Sequence, residues 1–180
     1  MSAGIEIPRD DCEWRVGDLG NMANRCDGDQ IAVGACGGGF NSDCPGGAFT
    51  MVECCRVPEF YYGLCEVRGG TWGELLECPE IHSESGHLVE GFCESGSSYA
   101  CNGHASEVEC CQGHLQGQLV GSTGQCTWLF SGGFGATLEC GRNDEAVMGR
   151  CSTGGGHSGN GDCPDDNVHG IFCCEIDFLA

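Results

Sequence analysis

Eighteen cysteines fall into three groups of six along this 180-residue chain, and each group ends in two adjacent cysteines. An even number of cysteines in a small acidic chain predicts a disulfide framework. We therefore expect all 18 cysteines to pair within the chain. Zinc binding is the alternative, but the chain has no Cys-x-x-Cys pair and no cluster with zinc-finger spacing.

The three groups define repeats at residues 12–55, 65–111 and 126–174. A glycine precedes the third cysteine of each repeat by two residues, at Gly34, Gly91 and Gly149. A missing side chain at these places predicts a bulge or a close backbone approach. In chain order, the cysteines are Cys12, Cys26, Cys36, Cys44, Cys54 and Cys55; Cys65, Cys78, Cys93, Cys101, Cys110 and Cys111; Cys126, Cys140, Cys151, Cys163, Cys173 and Cys174.

Each doublet ends a short run of β-forming residues, and neighbouring side chains in a strand point to opposite faces. The two cysteines of a doublet therefore need partners from different directions. The third and fourth cysteines of each repeat are close in sequence, and we predict that they pair locally across turns. The second cysteine is predicted to reach its own doublet, closing a loop of about 30 residues that is worth on the order of 3 kcal/mol.

The first cysteine of each repeat leaves two alternatives open. In a row of separate modules, each first cysteine bonds its own doublet. In a closed body, Cys65 bonds the first doublet, Cys126 bonds the second, and Cys12 bonds the third, with residues 5–7 beside the last strand. We favour closure, because a module of about 45 to 50 residues has little core of its own.

The fold class is predicted to be all-β. The chain has 33 glycines, and no stretch of a dozen residues keeps the apolar period of a helix. We expect a single compact body over residues 1–180 with pseudo-threefold symmetry, and three small β modules in a row are the alternative.

The net charge of -20, with seven arginines and no lysine, argues against nucleic-acid binding. Such acidity ordinarily serves solubility, and it also suits calcium-rich fluids or cationic partners. No apolar run is long enough to span a bilayer. The disulfides indicate a secreted, extracellular protein, and we expect that a signal peptide is missing from this sequence, which starts Met-Ser-Ala-Gly.

Candidate ligand-binding residues are few. Trp14, Trp72 and Trp128 give each repeat one large aromatic side chain, for which core packing is the ordinary use and a ligand platform the alternative. Carboxylates follow the second cysteine of each repeat, as calcium coordination requires, although a solvated acidic turn has the same composition. The calcium candidates are Asp27, Asp29, Asp144 and Glu145, and the corresponding loop of the second repeat runs from residue 80 to residue 84. No catalytic group is evident, so we favour a protein that is not an enzyme while leaving an enzyme as an alternative, and calcium is the one candidate cofactor.

The segment from Gly70 to Pro79, followed by Leu88-Val89 and a strand that ends in cysteine, resembles one repeat of the vitelline membrane outer layer protein family. The opening residues 5–8 and the closing residues 171–174 resemble the ends of that family's chain. The resemblance implies three Greek-key sheets arranged as a β-prism, a fold shared with jacalin-type lectins. The many cysteines are an addition to that pattern.

Three hypotheses of function follow. The first is a structural or barrier protein of an extracellular coat, mucus, matrix or adhesive, with glycans or matrix proteins as partners. The second is a lectin-like module that binds glycans. The third, which rests on the resemblance, is a small secreted enzyme acting on oligosaccharides or another small substrate.

Overall fold

The computed structural model of the protein describes residues 4–20, 24–37, 44–79, 86–94, 100–131, 135–152, 163 and 169–179. Within these ranges the chain forms strands and one short 3-10 turn, without an α-helix, so the predicted all-β class is confirmed. A helix that could span a bilayer is absent from the described ranges. The strands are β1 (Cys12–Gly17), β2 (Asn24–Arg25), β3 (Gln30–Gly37), β4 (Thr50–Arg56), β5 (Phe60–Gly70), β6 (Leu76–Glu77), β7 (His87–Glu94), β8 (Ser106–Leu115), β9 (Gln118–Ser131), β10 (Thr137–Glu139), β11 (Glu145–Ser152) and β12 (His169–Phe178).

The same pairing of strands occurs in each six-cysteine segment, which we call a module. The first strand of a module pairs antiparallel with the fourth, and the fourth pairs antiparallel with the third. In the first module these pairs are β1–β4 and β3–β4, and in the second they are β5–β8 and β7–β8. In the third module they are β9–β12 and β11–β12. Three strands of each module therefore form one sheet.

The second strand of each module pairs with the third strand of a different module. Strand β2 of the first module joins β7 of the second, and β6 of the second joins β11 of the third. Strand β10 of the third module joins β3 of the first, which completes a ring. We call these three pairings seams. Each module's sheet thus has four strands, of which one is donated by the preceding module. The sheets of the second and third modules are also joined by the antiparallel pairing of β8 with β9, so these two form one continuous eight-stranded sheet.

A glycine lies at every seam. The ladder within the sheet shifts register at Gly34, Gly91 and Gly149, so each marks a β-bulge. A Cβ atom added at these glycines would lie 2.7 Å from the Leu138 oxygen, 2.8 Å from the Asn24 oxygen and 2.6 Å from the Leu76 oxygen, respectively. All three oxygens belong to the donated strand. Both parts of the sequence prediction, a bulge and a close backbone approach, are confirmed.

Two further backbone hydrogen bonds repeat at the seams. The N–H of the second cysteine in each module donates to the next module's third strand, from Cys26 to Glu90 O at 2.9 Å, for example. The corresponding bonds of Cys78 and Cys140 are both 2.8 Å long. A glycine with positive φ just before each donated strand also donates across the seam, as Gly20 does to Glu94 O at 2.7 Å. The donated strand is therefore held at both ends.

The buried apolar side chains of all three modules belong to one contiguous cluster. The third strands β3, β7 and β11 contact one another pairwise at its centre. Ile31, Leu88 and Ala146 occupy matching places near the start of these strands, and each is at most 1% exposed. A module removed from the ring would expose this shared interior as well as its seam.

The cysteines are all paired, in nine disulfides, as predicted. The local bridges Cys36–Cys44, Cys93–Cys101 and Cys151–Cys163 are confirmed. The bridges from the second cysteine of each module to its doublet are also confirmed, as Cys26–Cys54, Cys78–Cys110 and Cys140–Cys173.

The prediction that the first cysteines link different modules is wrong. The observed bridges are Cys12–Cys55, Cys65–Cys111 and Cys126–Cys174, each inside one module. The reason is that the first and fourth strands of a module are direct neighbours, which places the two cysteines opposite each other in the ladder. Neighbouring modules are joined by hydrogen bonds and apolar packing at the seams, and no disulfide crosses a seam.

The start of the chain packs against the third module. Ile5 and Ile7 are 5% and 1% exposed, and the Ile7 N–H donates to Asn143 O at 2.7 Å. This contact is with the loop before β11, whereas we predicted that residues 5–7 would lie beside the last strand. The adjacent residue of that loop, Asp144, accepts a hydrogen bond from Ile176 of β12 at 2.8 Å. The loop therefore lies between the opening segment and the last strand.

Candidate functional site

The three tryptophans predicted as ligand contacts lie apart from one another. Trp14 on β1 packs, partly buried, against the Cys36–Cys44 bridge and Met51. Trp72 is half-buried in the turn between β5 and β6. Trp128 on β9 contacts the main core from the third sheet. A shared three-tryptophan site is therefore not formed.

Trp128 belongs to a row of aromatic rings on one face of the third sheet, which we call the aromatic row. It stacks on Phe172 of β12 with ring centroids 4.9 Å apart, and on Phe130 with centroids 5.7 Å apart. Trp128 and Phe172 are direct neighbours in the β9–β12 ladder. Trp128 and Phe130 are half-buried, so part of each ring faces solvent.

Glycines beneath the aromatic row let its rings lie close to the sheet. A Cβ atom at Gly170 would lie 2.6 Å from the Phe130 ring, and one at Gly149 would lie 3.0 Å from Phe172 Cβ. Flat, partly exposed aromatic rings on a rigid sheet are suited to stacking on the apolar face of a ligand ring. Sequence reasoning identified Trp128 but missed Phe130 and Phe172. The alternation Trp128-x-Phe130 in a strand was the signal that could have revealed the first of them.

The carboxylates predicted to bind calcium lie against arginines. Arg15 contacts Asp27, and the Arg56 guanidinium lies 3.1 Å from Asp29. Arg142 lies 2.5 Å from Asp144, and its backbone N–H donates to the Glu145 carboxylate at 3.2 Å. A calcium ion at Asp27, Asp29 or Asp144 would have to displace an arginine side chain from the carboxylate. Calcium binding there stays a prediction, and residues 80–84 of the second module lie outside the described part of the chain.

Like charges face each other at the seam that closes the ring. Glu53 on β4 and Glu139 on the donated β10 converge above Gly34, where a Cβ atom would lie 2.9 Å from Glu53 Oε2 and 3.2 Å from Glu139 Cγ. Burial and then the charge of Glu139 raise the pKa of Glu53, while Arg9 acts in the opposite direction. Arg9 donates to Arg142 O at 2.7 Å and so holds the opening segment at this seam.

The equivalent place in the second sheet has opposite charges. Arg25 on the donated β2 lies 2.6 Å from Glu109 of β8. Glu90 lies nearby, and burial followed by the charge of Glu109 raises its pKa. Glu90, Glu109, Cys65 and Cys111 have potential metal-ligand atoms within 4.8 Å of one another, but both cysteines are in a disulfide and have no thiolate to offer.

Replacing Glu53 by glutamine should stabilise the protein at neutral pH and flatten its pH dependence. A carboxyl whose pKa is raised on folding favours the folded state below its ordinary value of 4.5, and this advantage is lost as pH rises through the folded-state pKa. The wild type should therefore lose stability from about pH 4.5 towards neutrality, and E53Q should lose less. Urea unfolding at a series of pH values measures this difference. E59Q, at a solvent-exposed carboxylate, is the control, and equal slopes for E53Q and wild type would contradict the prediction.

A buried cluster of charged and polar side chains lies near the ends of β7 and β11, and we call it the axial cluster. It consists of Arg150 on β11, Glu94 on β7 and His169 on β12, which are 2%, 3% and 1% exposed. Arg150 forms an ion pair with Glu94, and its Nη1 donates to His169 Nδ1 at 3.4 Å. His169 Nε2 donates in turn to Ala136 O at 2.8 Å. The cluster thereby ties the second module to the third.

The environment of the axial cluster fixes its charge states. Burial lowers the pKa of Arg150 to about 9, so the guanidinium remains protonated at neutral pH. Burial and the adjacent Arg150 lower the pKa of His169 from 6.5 to about 3, so the imidazole is neutral. A base whose pKa falls on folding favours the folded state above its ordinary value and loses that advantage as pH falls towards the folded-state value. His169 therefore destabilises the fold between about pH 6.5 and 3, opposite in sign to Glu53.

The first module completes the axial cluster with a glycine. A Cβ atom at Gly37 would lie 2.7 Å from Arg150 Nη2. The guanidinium also lies over the Phe92 ring, with Cζ 5.0 Å from the ring centroid. Nothing in the sequence pattern singled out this cluster, because Glu94 comes from the second repeat whereas Arg150 and His169 come from the third. Arg150 matches Ala35 and Phe92 in position, and only the structure shows that Arg150 meets Glu94 and His169.

Compared with known proteins, the chain matches no protein-family model and no curated protein sequence. The resemblance to the vitelline membrane outer layer family, and the β-prism it implies, therefore stay predictions. The protein is a disulfide-rich, all-β chain of a kind that fits secretion into an oxidising compartment.

Proposed function

We propose that the protein is a durable structural component of an extracellular coat, mucus, matrix or adhesive. The proposal rests on one observation: the ring combines disulfides inside each module with strands donated between modules. Each module is closed by its own three disulfides, and each lends a strand to the next module. Local opening of one module is therefore opposed by covalent bonds inside it and by the neighbours on both sides.

The charged surface suits the same role. All seven arginines lie in the described ranges, and five of them are in strands. Trypsin, which cuts after arginine and lysine, therefore needs local unfolding before it can bind most of its sites. The high negative charge keeps neighbouring molecules hydrated and attracts cationic matrix components.

The native protein should resist trypsin strongly. We expect cleavage at least about a hundredfold slower than for the reduced and alkylated chain, because proteolysis tracks the small population of opened molecules. Mass spectrometry of timed digests measures both rates and names the sites. Antibody labelling of the source tissue tests the role itself: an insoluble extracellular layer should be stained. Staining confined to the cell interior, or rapid cleavage of the native protein, would refute the proposal.

Glycan binding is the second candidate function, and the aromatic row favours it. Sugar rings stack on exposed aromatic rings, and Trp128 and Phe130 are the partly exposed rings of the aromatic row. We expect weak retention on a glycan array or chitin resin that falls about tenfold in W128A. W14A is the matched control, since Trp14 packs against a disulfide on a different sheet. Equal retention of W128A and W14A, or no retention of the wild type, would contradict glycan binding by the aromatic row.

A further inference from the structure

Strand β5 is an open edge of the second sheet. It pairs with β8 on one side, and no strand in the described ranges pairs with its other side. Residues 63–68 are all exposed, and Leu64 and Val67 are 77% and 50% exposed. An exposed edge that carries large apolar side chains is a template for pairing with another strand.

The backbone groups of β5 that face outward can be assigned from its pairing with β8. Cys65 lies opposite Cys111, and their Cα atoms are 4.0 Å apart. Such a short separation is typical of a non-hydrogen-bonded pair in an antiparallel ladder. The N–H and C=O of Cys65 therefore point away from β8. Because the pattern alternates along a strand, those of Val67 and Gly69 point the same way.

The charges beside Val67 complement a second copy of the same strand. Glu66 and Arg68 flank Val67, and their side chains lie 3.2 Å apart. Two copies of β5 paired antiparallel about Val67 would place Glu66 of each copy opposite Arg68 of the other, an attractive cross-strand arrangement. Two charges of the same sign at these positions would repel a second copy, and that is how a charged edge ordinarily prevents pairing.

The strands that open the other two modules, β1 and β9, lack such a pair of charges available to a second copy. On β1, Arg15 pairs with Asp27 and Glu13 accepts a 2.7 Å hydrogen bond from Gln30, so both charges bind groups outside their strand. The described contacts of Glu66 and Arg68 are with each other, and both side chains are exposed. On β9, the matching positions are Thr127 and Leu129, which carry no charge. Among the three strands that open a module, β5 is therefore the one whose edge is both exposed and self-complementary.

We propose that the outer edge of β5 is a homodimer interface, in which two copies pair antiparallel about Val67 and join their second sheets into one. The Val67 residues of the two copies form a hydrogen-bonded pair, and Cys65 lies opposite Gly69 of the second copy. The ladder is about five residues long and buries less than the roughly 1,600 Å² of a standard interface, so the dimer is weak.

Charge complementation tests the interface. In analytical ultracentrifugation of the full chain at increasing concentration, the wild type should dimerise. E66R alone and R68E alone should remain monomeric, because each places like charges across the two-fold axis. An equimolar mixture of E66R and R68E should associate as a heterodimer. The controls E6R and R56E change the net charge by the same amounts at exposed positions outside β5 and should dimerise as the wild type does.

A cysteine crosslink tests the register. V67C places two thiols opposite each other in the dimer and should give a disulfide-linked dimer on mild oxidation, whereas R56C should not. A wild type that stays monomeric at every concentration overturns the proposal. So does dimerisation of both charge variants on their own, and so does a mixture of the two that fails to associate. Linkage of R56C as efficient as that of V67C overturns the register.

Discussion

Replacing Arg150 by methionine should lower the free energy of unfolding by about 3–5 kcal/mol, because it leaves the buried Glu94 carboxylate without its partner. Arg150 and Glu94 are 2% and 3% exposed, so water cannot take the place of the guanidinium without opening the core. The substitution also removes the donor to His169 Nδ1. Urea unfolding at pH 7 followed by circular dichroism measures the loss.

The double variant R150M/E94L separates a missing partner from a missing side chain. Replacing both members of a buried ion pair by apolar residues is often close to neutral, so the double variant should recover most of the stability that R150M loses. R56M is the surface control, since Arg56 pairs with Asp29 at an exposed site outside β5, and this substitution should cost less than about 1 kcal/mol. A loss in R150M no larger than in R56M would show that the axial ion pair does not stabilise the ring.

Alanine at a seam glycine should destabilise the protein by about 1–3 kcal/mol, the range found for overpacked sites. At Gly149 the new Cβ would meet Leu76 O at 2.6 Å, and a backbone oxygen of a paired strand cannot move without breaking the seam. G34A and G91A should behave alike, because their contacts are with the backbone of a donated strand too. Thermal or urea unfolding of the three variants measures the effect.

G141A is the matched control for the seam variants, because a Cβ atom at Gly141 has no neighbour within 4 Å. It should unfold with the wild type. Hydrogen exchange then locates the damage: in G149A the amides of β6 and β11 should exchange faster, while β1 remains protected. Uniformly faster exchange would mean that the seam is not the site of the strain, and stability equal to G141A would refute the prediction.

The sequence predicted those structural features that are determined by residues within one repeat. Cysteine spacing predicted six of the disulfides, because the third and fourth cysteines and the second cysteine with its doublet are brought together by short turns and strands within a repeat. The glycine before each third cysteine indicated a close approach, and the structure supplies the approaching strand. What spacing could not show is which module that strand comes from, since pairing between repeats leaves no periodic trace in any one of them.

The error over the first cysteines has the same origin. We assumed that closure of the body needs covalent links between modules, because a lone module has too little core. The structure meets that need with donated strands such as β10, which leaves Cys12 free to bond Cys55 across its own sheet. The axial cluster was beyond sequence reasoning too, as Glu94 and Arg150 are 56 positions apart in the chain (150 − 94) and stand at positions with no shared motif.

Forward donation of one strand by every module has an evolutionary consequence. A single module carries one strand too many for its own sheet and lacks one at its third strand, so it is incomplete alone. A chain of one module could complete its sheet only with a strand from another chain, as in a cyclic homotrimer. Tandem triplication and fusion of such a gene would yield the present ring without inventing a new contact. The divergence of its three seams, from the Glu53 and Glu139 pair to the Arg25 and Glu109 pair, is what fusion permits, because each interface could then change independently of the others.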